Sequence, residues 1–474
     1  LALIGGGSLV LLVAPLRRHG RQPLYYASAG ALALAMLGLL EAQSSLALFV
    51  AWEFMTVAGY LLLLRRKEAA AQAYRYFIFS MGGAFALLVG LAILGSAGVE
   101  LAPAALLAAL PAAIGGSGSA AAALLWPAGV TGVVAAALIA LGVLVKIGAL
   151  GVHIWLPGSY AEAEDETTAL FSGVFSKAPL FLLMAVVGGL AVSALPGSTA
   201  GAAAAGIPGS PGVILQLLSW IGVATALFGA LLAVFQEDVK YLLAYSSMSQ
   251  LGYIVLALSM ATHLGWVTGL YIAAIHFVFK GMLFLAIAGV IQRTGKRRMH
   301  ELGGLIKRMP ITYISVLMAI IALSGVPPLA GFGGKWLLYT ALMESGWYLQ
   351  AGVAFFASTV AFLYLFKLIY TVFLGQLKDD LREVREASPL LLIPQVVLIG
   401  LLMTFSMFPN TLLQPLIAAV DPILPATVSW SGYSVISSLG YWNGNAVMWV
   451  TMAVFILPLL WLMSIMRRPQ RIGQ

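Results

Sequence analysis

Long apolar runs, each near the length of a bilayer-crossing helix, recur along the chain with only short polar or glycine-rich breaks between them. The pattern predicts about thirteen membrane spans, at 1–16, 25–41, 44–64, 72–96, 131–155, 165–195, 213–235, 239–260, 264–292, 311–346, 349–376, 389–409 and 447–466. An all-α polytopic membrane protein is the expected fold class. Helices in lipid bury their faces against one another, so residues 1–474 are expected to form a single transmembrane domain.

The polar positions test that set of spans. Numbered in order, the odd breaks and the tail hold twenty of the 25 Lys and Arg residues: Arg17, Arg18 and Arg21; Arg65, Arg66, Lys67 and Arg75; Lys240; Arg293, Lys296, Arg297, Arg298, Lys307 and Arg308; Lys378, Arg382 and Arg385; and Arg467, Arg468 and Arg471. The even breaks, around 42, 97–130, 196–212, 261–263, 347 and 410–446, hold none. This asymmetry places the basic loops and the C-terminus in the cytoplasm, with the chain in the cell (inner or plasma) membrane. A span miscounted anywhere in the middle would have scrambled it. Among the cation-free breaks, Leu101–Ala113 is apolar but interrupted by Pro103 and Pro111, so it is expected to lie at the interface. Residues 196–212 are rich in Gly, Ala, Ser and Pro and are expected to be a flexible loop, and 410–446 is expected to be a further loop.

Composition agrees with the pattern and removes several chemistries. Hydrophobic residues make up 61% and charged residues 9% of the chain, and the mean hydropathy is +1.00. The formal charge of +8 sits at helix ends, where it meets anionic lipid, so nucleic acid is not an expected partner. The absence of cysteine excludes disulfides, thiolate-held iron–sulfur clusters and Cys-ligated zinc. No cofactor and no metal site are expected. The first apolar run lacks the charged flank and cleavage site of a signal peptide, and the chain begins at Leu1, so a processed or incomplete N-terminus is expected.

Five lysines fall inside the spans: Lys146, Lys177, Lys280, Lys335 and Lys367. A charge at mid-bilayer costs at least about 2.5–3.5 kcal/mol, and such residues mark ion or proton pathways. Glu53 is the one acid well inside a span, since Glu41 and Glu344 lie near helix ends. One carboxylate cannot neutralise five amines, so some of them must be deprotonated or hydrated, as on a proton path. His276, four residues before Lys280, shares its helix face, and the two form a protonatable ladder that water can bridge. His153 is a weaker candidate, and for it and Lys367 a structural role stays open. His263, at a loop edge, and His300, in a basic loop, are expected to be solvated.

Helix breakers flank two of the lysines. Lys146 is followed by Gly148, Gly151 and Pro157, and Lys335 is preceded by Gly325, Pro327, Pro328 and Gly331. Breaks in lipid are tolerated where they face protein or a watery cavity, and interrupted helices in matching positions point to inverted-repeat transporters. The spans divide accordingly into a first five-helix repeat at 25–195 and a second at 213–376, followed by C-terminal helices at 377–474. Lys146 and Lys335 each lie in the fourth helix of their unit, and the odd helix number makes the units opposite in orientation.

With these residues assembled, the chain resembles the antiporter-like proton-translocating membrane subunits shared by respiratory complex I, membrane-bound hydrogenases of the formate hydrogenlyase type and Mrp cation/proton antiporters. The matching stretches are Trp52-Glu-Phe-Met55, Val145 to Pro157, Asp238 to Tyr253, His276-Phe-Val-Phe-Lys280 and Gly325 to Lys335, covering about residues 25–410 in family order. The resemblance implies that Glu53 is the carboxylate pairing with Lys146, that Lys177 connects onward, that His276 and Lys280 link the halves, and that Lys335 is the terminal lysine. It also implies a protein that makes no bond other than to hydrogen, hence an ion-translocating and non-catalytic part of an oxidoreductase complex.

Departures from the family are informative too. The family core usually begins with two more helices, and a single helix follows the core here, which suggests a middle-sized member. Where many members read Pro-Thr-Pro, residues 162–168 carry Glu162, Glu164, Asp165 and Glu166, without the spacing or glycine of a calcium loop. That cluster reads as a proton-collecting surface, a partner-docking surface or a solvated turn. The expected function is that of a proton-pumping subunit of a redox-driven complex, with other membrane subunits, peripheral redox subunits, lipid and protons (or Na+) as partners. Three other readings stay open: a subunit of a multi-subunit sodium/proton antiporter, the membrane partner of an inorganic-carbon uptake system, and a purely structural scaffold.

Overall fold

The computed structural model describes residues 2–13, 22–114, 129–193, 211–431 and 434–466. Helices account for most of it, because an apolar chain in lipid can satisfy its backbone only within each segment. In chain order they are α1 (Ala2–Leu11), α2 (Gln22–Leu40), α3 (Ser45–Leu63), α4 (Ala70–Ser96), α5 (Pro103–Ile114), α6 (Gly129–Ile147), α7 (Trp155–Glu162), α8 (Asp165–Gly173), α9 (Ala178–Ser193), α10 (Pro211–Val234), α11 (Val239–Ser259), α12 (His263–Thr294), α13 (Pro310–Ser324), α14 (Ala330–Glu344), α15 (Tyr348–Ile369), α16 (Pro389–Met407), α17 (Asn410–Val420) and α18 (Gly444–Met466). Local chemistry sets several ends. Ser44 accepts from Ala47 N–H, Asp238 from Lys240 and Tyr241 N–H, and Thr262 from Gly265 N–H, each capping the helix that follows.

Ten helical stretches among the described residues are long and apolar enough to cross a membrane. They coincide with ten of the expected spans, and the other three differ. The expected span 311–346 is two helices, α13 and α14; α1 is described over ten residues only; and only Gly444–Val454 of the last helix enters the search as a shorter apolar segment. The stretches 165–191, 239–259 and 263–294 are almost wholly buried inside the chain, whereas α2, α4 and α16 turn most of their surface outward. Three covered helices form the spine on which the others pack.

Both expected breaks are present. Between α6 and α7 the chain turns at Gly148 (φ +69°), and between α13 and α14 at Gly325 (φ +74°), backbone conformations that a side chain at Cβ disfavours. A third break was not expected: the span 165–195 is interrupted at Val174, and a single 3-10 turn, Phe175–Lys177, joins α8 to α9. Loop contacts sort the two ends of the bundle. The breaks after α3, α7, α10 and α12 meet through ion pairs of Arg65 with Glu164 and of Arg297 with Glu162 and Asp238, and the one after α15 joins them through Lys296 and Asp380. At the other end Leu101 N–H donates to Ser45, His263 meets Asp421, and Ser438 donates to Glu344. The alternation read from the cations is thus an alternation in space.

Residues 410–446 are not the expected loop. They hold α17 and a three-stranded antiparallel sheet, β1 (Ser429–Ser431), β2 (Ser434–Ser437) and β3 (Gly440–Asn443), in the order β1-β2-β3 with Ser429 opposite Ile436 and Val435 opposite Trp442. Trp442 anchors the sheet, buried between Tyr271 and Trp336. Residues 101–113 form α5, which packs Leu106, Leu107 and Leu110 inward. The segment 194–210, and with it most of the expected flexible loop, lies outside the described residues, as do Arg17, Arg18, Arg21, Arg467, Arg468 and Arg471.

Candidate functional site: a buried line of lysines

Lys146, on the last turn of α6 just before the first break, is 1% exposed and is enclosed by aromatic faces. Its Nζ lies 5.4 Å from the Trp52 ring, 5.5 Å from Tyr76 and 5.9 Å from Phe175, and it donates to Thr56 Oγ1 at 2.6 Å. Ring faces attract a cation, and the hydroxyl supplies one hydrogen bond, so an ammonium is tolerated here without a counter-ion in contact. Glu53, half-buried on α3, makes no ion pair with Lys146 among the described residues, and its buried Oε1 has no hydrogen-bond partner. The expected Glu53–Lys146 pair is therefore replaced by Thr56–Lys146. Thr56 lies three residues along α3 from Glu53, so the carboxylate and the hydroxyl share one side of that helix.

The third break delivers Lys177. Its Nζ donates to Ser172 O at 2.5 Å and Ser176 Oγ at 3.0 Å, and lies 2.5 Å from His276 Nδ1 on α12. An ammonium has no acceptor, and a neutral amine has one lone pair, so this contact holds a single shared proton: Lys177 donates to Nδ1, or Nδ1–H donates to Lys177. His276 therefore partners Lys177. Lys280 turns elsewhere, donating to Leu243 O at 3.0 Å and to Ser246 Oγ on α11. The expected direct His276–Lys280 ladder is absent because each side chain finds a nearer partner on a neighbouring helix.

Serines bridge the two. Ser172 Oγ and Ser247 Oγ are 2.8 Å apart, and Ser246 and Ser247 both donate to the Leu243 carbonyl that Lys280 also uses. Further along, Lys335 Nζ donates to Ser358 Oγ at 2.8 Å and sits 3.1 Å from the centre of the Tyr253 ring; Tyr253 and Tyr339 hydroxyls also meet Ser358. A cavity of about 20 Å³ lined by Gln250, Ile275, Phe279 and Lys335 separates it from the Lys280 helix. That volume suffices for about one water. Thr56, Ser172, Ser176, Ser246, Ser247 and Ser358 were not singled out from sequence. The available signal was a hydroxyl three or four residues from a charged or polar partner inside an apolar helix.

Other candidates fall outside this line. Lys367, half-buried on α15, donates to Val234 O (3.1 Å) and Gln236 O (2.7 Å), the free carbonyls at the end of α10. Its geometry is that of a helix C-cap. Lys367→Met is expected to destabilise the protein by about 1–2 kcal/mol and leave proton movement unchanged, read by thermal unfolding beside a flux assay. His153 lies in the first break, with Nδ1 buried and without a hydrogen-bond partner, and it meets none of the lysines. His263, expected to be solvated, is 2% exposed and bonded to Asp421 Oδ1 at 2.9 Å, while His300 is largely exposed.

The basic end corrects two further expectations. Lys240, counted as a loop cation, is 2% exposed and pairs with Asp165 at 2.8 Å. The acidic cluster is no solvated turn: Glu164 meets Arg65 at 3.0 Å, Asp165 meets Lys240, and Glu162 meets Arg297 at 3.0 Å. Burial works against the Arg297 guanidinium, but its bonds to Glu162 and Asp238 outweigh this and hold its pKa above the ordinary value.

Comparison with known proteins gives a consistent set of likenesses. The sequence profile of the transmembrane NADH:quinone oxidoreductase/Mrp antiporter family matches residues 42–361. The chain is 30% identical over 462 residues to the largest-matching Na(+)/H(+) antiporter protein of Alkalihalophilus pseudofirmus, covering 89% of this chain and 52% of that protein. It is 28% identical over 377 residues to an NADH-quinone oxidoreductase membrane protein of Desulforudis audaxviator, covering 78% and 70%. Among solved structures it is similar to a chain of the membrane-bound sulfane sulfur reductase, an archaeal respiratory membrane complex, with a TM-score of 0.79, 29% identity, and coverage of 98% of this chain and 72% of that one. The chain thus spans about half the length of that antiporter protein, and most of the other two.

Proposed function

The chain belongs to the transmembrane NADH:quinone oxidoreductase/Mrp antiporter family, and from that premise we propose that it translocates protons along Glu53, Lys146, Lys177, His276, Lys280 and Lys335 as a membrane subunit of a redox-driven complex. The observation that carries the reading is the Lys177–His276 contact of 2.5 Å between two broken-helix units. Two groups, each able to take up and release a proton, share one inside the membrane. A scaffold has no use for such a contact, since an apolar pair would pack there without the desolvation cost.

In this reading residues 25–195 and 213–376 are two inverted repeats, with Lys146 and Lys335 beside the corresponding breaks and Lys177 and His276 at the seam. Each proton arriving at one amine changes the cost of charging the next, which couples the sites electrostatically. The basic loops face the cytoplasm. Electron transfer takes place in partner subunits, because this chain has no cysteine to hold a cluster.

Membership of a sodium/proton antiporter is the second reading, favoured by the 30% identity to the Alkalihalophilus pseudofirmus protein. Purification of the tagged chain from its native membrane in mild detergent separates the two. Recovery with iron–sulfur or nickel subunits is the expected result, and recovery with small membrane subunits and sodium-dependent proton flux selects the second reading. A chain that purifies with intact partners and moves no protons in liposomes under either driving force sinks both.

A further inference from the structure

At the basic end a polar cavity of about 600 Å³ opens between the loops, lined by Arg65, Arg66, Glu164, Asp165, Gln292 and Arg297. Its carboxylates are those of the acidic cluster, and they stand at the start of α8, the helix that leads to Lys177. From there one side of the chain carries polar residues at four-residue spacing, Glu164, Thr168, Ser172 and Ser176. Thr168, Ser172 and Ser176 are at most 1% exposed to the outside, although the flanking residues are apolar or aromatic. The stripe is joined by hydrogen bonds at both ends: Thr168 Oγ1 donates to Glu164 O at 3.2 Å, Ser176 Oγ donates to Ser172 O at 3.0 Å, and Lys177 donates to both Ser172 O and Ser176 Oγ. Ser247 adds a second hydroxyl beside Ser172.

We propose that this cavity and hydroxyl stripe are the conduit that carries protons between water on the basic face and Lys177, with Glu164 and Asp165 as the collecting carboxylates. The proposal rests on the proton-translocation reading and extends it to residues that reading does not use. A hydroxyl both accepts and donates, so each can pass a proton on without holding a charge. Successive stripe positions rise by about 6 Å along the helix, a gap that one bridging water closes. The proton leaves a carboxyl at the cavity, passes Thr168 and the Ser172–Ser247 pair, and arrives on the Lys177 amine, which hands it to His276 Nδ1. Arg65 and Lys240, paired to the two carboxylates, keep the collecting groups fixed at the cavity wall.

The test uses the whole complex reconstituted in liposomes, with a pH-sensitive dye reporting flux. Thr168→Val keeps the volume and removes the hydroxyl, and with Ser172→Ala it is expected to slow flux by about tenfold while Thr168→Ser restores it. Glu164→Gln with Asp165→Asn is expected to slow flux equally, and azide or formate added on the basic face to recover it, since a small weak acid can replace a lost collecting group but cannot repair a fold. Unchanged flux in Thr168→Val/Ser172→Ala overturns the conduit, as does a carboxylate variant that assembles normally yet gains nothing from azide or formate. If Lys335→Ala abolishes flux in the same preparation, such a failure leaves the wider reading standing.

Discussion

Lys335→Ala is expected to abolish proton movement, by at least about a hundredfold, in a complex that still assembles. The lysine sits beyond the second break, bonded to Ser358 and stacked on Tyr253, next to a water-sized cavity. Alanine removes the one group there that can gain and lose a proton in the working range. Folding should tolerate the loss, because taking away a buried amine also removes its desolvation cost, and the hydroxyls of Tyr253, Tyr339 and Ser358 remain bonded to one another. Lys335→Arg sharpens the test. Guanidinium keeps the charge but does not deprotonate in proteins, so arginine is expected to be as inactive as alanine. Proton flux into liposomes, measured beside the yield of intact complex, decides it. Full flux in Lys335→Arg would mean that fixed charge matters and proton exchange does not.

Lys177 and His276 should fail together. Each single change, Lys177→Met or His276→Leu, is expected to cut flux by about a hundredfold, and the double variant to be no worse than either. The reason is the shared proton: with one partner gone, the other has nothing to exchange with across 2.5 Å, so a second loss removes nothing further. Independent roles would instead multiply the two effects. The same cycle with Lys367→Met in place of His276→Leu should give an unchanged partner effect, since Lys367 caps the end of α10 and touches no member of the line.

Legibility of this protein follows the range of the forces involved. Spans, breaks and sidedness were readable because they depend on local composition: a run of apolar residues has one solution in lipid, Gly148 and Gly325 permit the positive φ at which two helices stop, and cations collect on one side. The buried lysines were readable for the same reason, since depth within an apolar run is a local property. Partner choice was not. Glu53 was assigned to Lys146 and His276 to Lys280 from charge and helix spacing, yet Thr56 and Lys177 take those places, because hydrogen bonds of 2.5–2.6 Å form between helices whose relative rotation no periodicity records. Lys240 and His263 were misplaced in solvent because a residue one turn from a helix end becomes buried or exposed according to what packs over it, here Asp165 and Asp421.

The sequence by itself thus determined that this is a membrane bundle with two interrupted helices, basic loops at one end and more amines inside than one carboxylate can neutralise. Only the tertiary structure decided which of those amines share a proton, that hydroxyls on α3, α8 and α11 sit between them, that Lys367 is a cap, and that the acidic cluster is pinned by Arg65, Lys240 and Arg297. The physical reason is one of distance. Burial in lipid is settled within about twenty residues of chain, whereas a proton moves only between atoms about 3 Å apart, and residues such as 177 and 276 reach that separation only once the helices have packed.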